Sequence, residues 1–292
     1  MKPLTLLLMT KRGYRLLADT IEAFGALFEQ VIIGRDQSLD NDYSQQIADL
    51  CDQHGIKWTA RQSAMSVSTE YAVAVGWRWM IAFPEDKLIV FHDSLLPRYR
   101  GFNPLVTCLI NGDKQVGVTA ILGAKQYDSG PVLAQSSVDL TYPCTIEKAI
   151  DEISACYRAT ACEVFGMLQG GQQLMGRAQD ESLVSYSLWR DEADYRINWN
   201  NSAARLARFI DAVGSPYSGA ITLVNGLPAR VGKSVPLPDV VIENRCAGKV
   251  IWLDAGLPVV VCGEGLLRID ELTDTATNAS LLPLIRFRSR FS

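Results

Sequence analysis

The stretch Leu88–Pro104, LIVFHDSLLPRYRGFNP, decides how the chain is read. Its first four residues are apolar and read as a buried strand. They stop at His92 and Asp93, so one of two histidines in 292 residues stands at a strand end. In an open parallel sheet, ligands bind beyond the carboxyl ends of the strands, so this is where a site belongs. Leu95, Leu96 and Pro97 then make a rigid apolar turn. Arg98 and Arg100 flank Tyr99 ahead of Gly101, a residue that permits close backbone approach.

Upstream, strand-like and helix-like stretches alternate. LTLLLMT (4–10) is a continuous apolar run, YRLLADTIEAFGALF (14–28) has helical spacing and QVIIG (30–34) is short and β-branched. DYSQQIADLCDQHGI (42–56) is an amphipathic helix closed by Gly55, and YAVAVGW (71–77) is again an apolar run. Buried runs alternating with helices predict an α/β, Rossmann-like parallel sheet with helices on both faces. Downstream, GVTAIL (117–122) and PVLAQSSV (131–138) read as later strands forming a hairpin at one side. Residues 145–171 are a long helix that Thr145 caps and Gly170–Gly171 end. Residues 172–195 are polar and read as a linker, followed by a helix over 201–217. From Gly219 onward, short strand-like pieces broken by glycine and proline predict a small β-rich, barrel-like domain. The expected domains are 1–190, catalytic, and 191–292, β-rich.

Composition narrows the function. Hydrophobic residues make up 48% and charged residues 21%, as in a globular chain with a full core. The net charge of −4 offers no globally basic face, so nucleic acid is not the expected partner. Seven cysteines, without CxxC or a His/Cys cluster, read as reduced, mostly buried thiols of a cytoplasmic protein, with no metal site. No apolar run reaches membrane-spanning length, and the N-terminus reads as a first strand rather than a signal peptide. His54 lies in the last turn of a helix and receives no function.

HDSLLPRYRG, followed by LINGDKQVGVT and then YDSGPVLAQ, resembles the formyltransferase family, which includes methionyl-tRNA and sugar N-formyltransferases. The resemblance is strong over roughly residues 70–140 and extends weakly into 191–220. It implies transfer of a one-carbon acyl group from N10-formyltetrahydrofolate to a primary amine. In the family an asparagine and a histidine surround the carbonyl, and an aspartate orients the histidine or relays the proton. The histidine matches His92 and the aspartate matches Asp128 in YDSG, where Gly130 lets the turn carry Asp128 back. The asparagine's position is Val90, which offers no hydrogen bond to a developing oxyanion. Loss of one such donor costs about 10²–10³ in rate. Three readings follow: another donor such as protonated His92, a backbone N–H or Asn103; a different acyl carrier, acetyl-CoA; or a chain that binds without turnover.

The remaining candidates are placed beside this core. Trp77 and Trp79 stack on a pterin or adenine ring or pack in the core. With Leu95, Leu96, Pro97 and Gly101 they are the expected cofactor-binding residues. Arg98, Arg100 and Asn103 are the expected substrate-binding residues, the arginines gripping a phosphate or carboxylate or standing in solvent. TKRGYR after the first strand is not GxGxxG and carries no dinucleotide site. Asp93 and Ser94 do not make a hydrolase triad with His92, because no G-x-S-x-G elbow occurs. A nucleotide-linked amino sugar is the expected acceptor, since one or two arginines suffice for its phosphates. Methionyl-tRNA is the alternative, no membrane is expected as a partner, and a homodimer is common among sugar-modifying relatives.

Overall fold

Strand β1 (Leu4–Leu8) is buried along its whole length, as five successive apolar or small residues require when both faces of a sheet are covered. A computed structural model describes residues 3–37, 39, 41–62 and 66–292. After β1 the chain forms α1 (Thr10–Phe24), β2 (Phe28–Ile33), α2 (Ser44–Gln53), β3 (Lys57–Ala60), β4 (Tyr71–Val75) and β5 (Leu88–His92). Then come β6 (Arg100–Gly101), α3 (Pro104–Asn111), β7 (Gln115–Leu122), β8 (Val132–Asp139) and α4 (Ile146–Gln169). The seven-stranded sheet has the order β3-β2-β1-β4-β5-β7-β8. Its first five strands are parallel, while β7 and β8 run antiparallel to their neighbours, which makes the sheet mixed with a hairpin at one side.

Register fixes which residues share a face. Leu7 pairs with Ile32 and Ala74, and Ala74 pairs with Val90. Side chains two apart point the same way, so Val90 and His92 lie on this face. It is covered by Val67, Trp77, Ile81 and Phe83. Phe91 points to the other face, where its ring stacks on Tyr157 of α4 at 6.0 Å. Phe165 of α4 meets Phe24 and Phe28 edge-on, so α1 and α4 flank the sheet on that side.

Two local readings change. Helix α1 begins at Thr10 rather than Tyr14, so Lys11, Arg12 and Gly13 form its first turn instead of a loop. A Cβ at Gly13 would lie 3.0 Å from Leu8 Cβ, which shows how closely this turn returns over β1. Strand β3, KWTA, was not anticipated; all four residues are exposed at the sheet edge, so it has no apolar signature.

The chain divides into two compact units. One comprises Met1–Leu105, Gln115–Leu140 and Ala149–Leu188; the other comprises Val106–Lys114, Thr141–Lys148 and Trp189–Ser292. A single boundary near residue 190 cannot express the two short segments that join the C-terminal unit. Residues 172–188 are not a free linker. Arg177 forms a β-bridge with Val132, and β9 (Tyr186–Ser187) pairs in parallel with β6.

The second unit holds α5 (Ala203–Val213) and an antiparallel sheet of β10 (Ala220–Val224), β11 (Leu227–Leu237), β12 (Val250–Asp254), β13 (Leu257–Val261) and β14 (Leu266–Asp274). The strand order is β10-β11-β14-β13-β12, and the outer strands β10 and β12 are not neighbours. The last residues join them: Ser292 exchanges backbone hydrogen bonds with Leu223, and Phe291 donates to Gly248, just before β12. The barrel-like expectation is thus met by a short C-terminal segment across the gap.

No disulfide links the described cysteines, and five of the seven are buried. Burial pushes the thiols of Cys51 and Cys262 up to about 12, so both are inert packing groups. Burial likewise raises the Asp211 carboxyl of α5 from its ordinary value. The folded state then holds this proton more tightly than the unfolded chain, which favours folding in acid. That contribution is lost as pH rises through the folded-state value. Asp211→Asn is therefore expected to stabilise the protein at neutral pH more than at pH 4. Equal shifts in urea midpoint at the two pH values would contradict this.

Candidate active site

His92 is the last residue of β5 and is 7% exposed. Its Nε2 lies 2.8 Å from the carbonyl oxygen of Tyr99. A carbonyl only accepts, so Nε2 carries the hydrogen and donates it. Tyr99 can offer that carbonyl because its backbone takes a positive φ of 62°, reversing the chain after the turn. The ring is thereby oriented, and Nδ1 is the nitrogen left for chemistry.

Nδ1 faces Oδ2 of Asp128 at 3.5 Å. This is ion-pair distance and too long for a strong hydrogen bond. The same Oδ2 accepts the backbone N–H of Gly101 at 2.8 Å, which holds the carboxylate in place. Gly101 has φ +102°, and a Cβ there would lie 2.5 Å from the Ser187 carbonyl oxygen. At Gly130 a Cβ would lie 1.7 Å from the Leu122 carbonyl oxygen, so only glycine allows the turn that brings Asp128 back. Neutral Nδ1 presents a lone pair beside a carboxylate. On taking a proton it becomes a cation whose charge that carboxylate stabilises. The side chains of His92 and Asp128 are 8% and 14% exposed, so the pair keeps an edge toward solvent.

The segment after α4 secures both halves of this pair. Gln179 donates from Nε2 to the carbonyls of Asp128 and Gly130 at 2.7 and 2.8 Å. Its Oε1 accepts from Arg100 Nε and Nη2 at 3.0 and 2.9 Å. Arg100 also pairs with Glu181 at 2.8 Å. Ser185 Oγ accepts the Tyr99 N–H at 3.0 Å, and Ser187 hydrogen-bonds Phe102. This corrects the reading of Arg100 as a ligand-binding residue: it is 2% exposed, and its guanidinium is taken up by Gln179 and Glu181.

The other expected residues fall around the pair. Val90 lies two residues before His92 on the same face and packs against Leu96, Ile121 and Val132. Leu96 is held through its N–H by Thr119 Oγ1 at 3.2 Å and through its carbonyl by Gln135 Nε2 at 3.0 Å; a cis peptide follows to Pro97. Leu95 is half-buried, and a Cβ at Gly117 would meet it at 2.5 Å. Arg98 is exposed and donates to the Tyr99 hydroxyl at 2.8 Å. Asn103 has φ +48° and directly precedes α3. Trp77 covers the face that carries Val90, with its indole N–H buried and unpartnered among the described residues. One face of Trp79 is taken by Arg61 at 3.9 Å, so that face does not stack on a ligand. Asp93 is buried and engaged by Arg12 and Tyr157, outside any triad with His92.

Three groups of site residues were not anticipated. Thr119 pairs across the sheet with both His92 and Gln135, which sets His92, Thr119 and Gln135 in one polar row. The rings of Phe102 and Tyr127 lie 5.7 Å apart, partly exposed, next in sequence to Gly101 and Asp128. Gln179 belongs to the supposed linker. The register of β5, β7 and β8 was the signal for the first group; nothing local in the sequence signals Gln179.

A mixed sheet flanked by helices, followed by a separate antiparallel sheet, is here the catalytic fold of formyl-group transferases. The chain belongs to the formyltransferase family: residues 59–157 match its formyl transferase domain and residues 190–280 its C-terminal domain. It is 30% identical over 193 residues to the methionyl-tRNA formyltransferase of Methylobacillus flagellatus, an alignment covering 66% of this chain and 61% of that one. The chain thus spans about three-fifths of that relative's length. In fold it resembles the N-formyltransferase of Helicobacter canadensis, in complex with folinic acid and dTDP-3-aminofucose. The TM-score is 0.67 and the identity 16%, over 92% of this chain and 99% of that one. It also resembles HypX from Aquifex aeolicus in complex with tetrahydrofolic acid, with TM-score 0.58 and identity 15% over 96% of this chain and 45% of that one. Among the described residues no helix is long and apolar enough to cross a membrane.

Proposed function

We propose that this chain transfers a formyl group from N10-formyltetrahydrofolate to a primary amine. The observation that carries the reading is His92 itself: Nε2 is tied to the Tyr99 carbonyl and Nδ1 is turned toward the Asp128 carboxylate. An attacking amine must shed a proton as it bonds to carbon, and Nδ1 is the nitrogen placed to take it. Asp128 stabilises the resulting imidazolium. The folate supplies an activated one-carbon acyl group: the amine nitrogen bonds to the formyl carbon, the bond from that carbon to N10 breaks, and tetrahydrofolate leaves with the proton the imidazolium returns. Phe102 and Tyr127, partly exposed beside Gly101 and Asp128, offer an aromatic surface for a flat ring.

Two acceptors have support. Methionyl-tRNA is favoured by the names of the relatives near 30% identity. A nucleotide-linked amino sugar is favoured by the net charge of −4, which gives long-range attraction to RNA no help. The Helicobacter enzyme of like fold was solved with such a ligand. Turnover assays with the formylated folate and each acceptor, in low and high salt, separate them. RNA binding that weakens steeply with salt marks the first; salt-tolerant turnover of a sugar marks the second. Thermal shifts decide the donor, since a ligand at 100 times its dissociation constant adds about 2.7 kcal/mol. Stabilisation by coenzyme A and none by folate would replace formyl with acetyl transfer.

Val90 supplies a sharper test. Restoring an amide donor with Val90→Asn is expected to raise formyl-transfer kcat by about tenfold or more. The apolar contacts it replaces set a stability loss of about 1–3 kcal/mol. An unchanged or lower kcat in the folded variant means that another group already serves the oxyanion.

A further inference from the structure

The C-terminal unit contains a cavity of about 180 Å³ whose polar lining is Arg190, Arg196, Arg205, Asn198 and Asn201. No acidic residue lines it. Three arginines along one small space place like charges together, and such groups are ordinarily matched by carboxylates. Two acids of the adjoining turn, Asp191 and Asp194, are engaged with its backbone. Asp191 accepts the Ala193 N–H at 2.8 Å, and Asp194 accepts the Asp191 N–H at 3.0 Å. Both carboxylates thereby cap the short helical turn Glu192–Tyr195.

Two further observations point to an anion as its occupant. Arg190 Nε is buried and has no hydrogen-bond partner among the described residues. A buried donor without an acceptor costs free energy that a bound acceptor recovers. Arg205 lies in the first turn of α5, at the positive end of the helix, where a cation is disfavoured and an anion is welcome. Leu206 and Phe209, on the same helix, add apolar surface that strengthens charge interactions above it.

We infer that this cavity binds a phosphate-bearing small molecule, with the guanidinium groups of Arg190, Arg196 and Arg205 gripping the phosphate oxygens. The fork of a guanidinium matches two phosphate oxygens at once, and the amides of Asn198 and Asn201 supply further N–H donors. Pockets that enclose a whole cofactor run to about 300–1,000 Å³. This one is smaller and takes the charged end of a ligand. None of its lining residues belongs to the His92 site, so the inference holds whether or not the proposed reaction does.

The test is calorimetric titration of the full chain with orthophosphate, pyrophosphate, ADP and a short single-stranded RNA at fixed ionic strength. Saturable one-to-one binding of pyrophosphate or ADP is expected. Arg190→Met and Arg205→Met are each expected to weaken it by about 10- to 100-fold. Arg205 is exposed, so its substitution leaves the fold intact and keeps the test decisive if Arg190→Met unfolds. Orthophosphate binding as tightly as ADP would support the site and assign it to the free ion. Absence of pyrophosphate and ADP binding, affinity unchanged in Arg205→Met, or RNA binding alone would each overturn the inference.

Discussion

His92→Ala is expected to lower formyl-transfer kcat by about 10²–10⁴-fold, the range for losing a positioned proton acceptor. The protein should remain folded, because the side chain gives up only one hydrogen bond, to Tyr99, and its contact with Asp128. Asp128→Asn should fall between this variant and the parent. An asparagine still accepts the Gly101 N–H, so the loop keeps its place, but the charge that stabilises a protonated ring is gone. Equal rates for parent and His92→Ala would remove the mechanism outright. Steady-state kinetics on both variants, with circular dichroism as the folding control, decide the point.

Arg100→Ala is expected to destabilise the protein by about 2–4 kcal/mol, read from urea unfolding. The side chain is 2% exposed and makes two hydrogen bonds to Gln179, so truncation leaves a cavity and an acceptor without a donor. The exposed partner Glu181 should matter far less, since its carboxylate is free to return to water. Arg100→Ala should also slow turnover, because Gln179 holds the Asp128 and Gly130 carbonyls. A loss of activity with no loss of stability would instead mark Arg100 as a ligand-binding group, as its place in the motif first implied.

Much of this was legible in the sequence, for physical reasons that differ by element. Apolar runs such as LTLLL and YAVAV read as buried strands, and LIVFH as a strand ending at His92, where β5 does end. Asp128 was paired with His92 only by the resemblance of YDSG to the family motif; the structure adds that a Cβ at Gly130 would collide with the Leu122 carbonyl. Strand β3 escaped because an exposed edge strand needs no apolar residues. Arg100 and Gln179 escaped because a hydrogen bond between residues 79 apart leaves no local trace. The polar composition of residues 172–188 suggested solvent, whereas several of those groups satisfy the backbone of two loops.

That last feature has a consequence for slow motion. The β9 strand hydrogen-bonds β6, Arg177 bridges Val132, and Gln179 spans the hairpin, so releasing any one of these exposes the others. The amides of Phe102, Val132 and Arg177 should therefore exchange with deuterium together, at a single opening free energy. Binding beside His92 should slow all three in parallel, giving a solvent-isotope signature of occupancy that needs no chemical turnover.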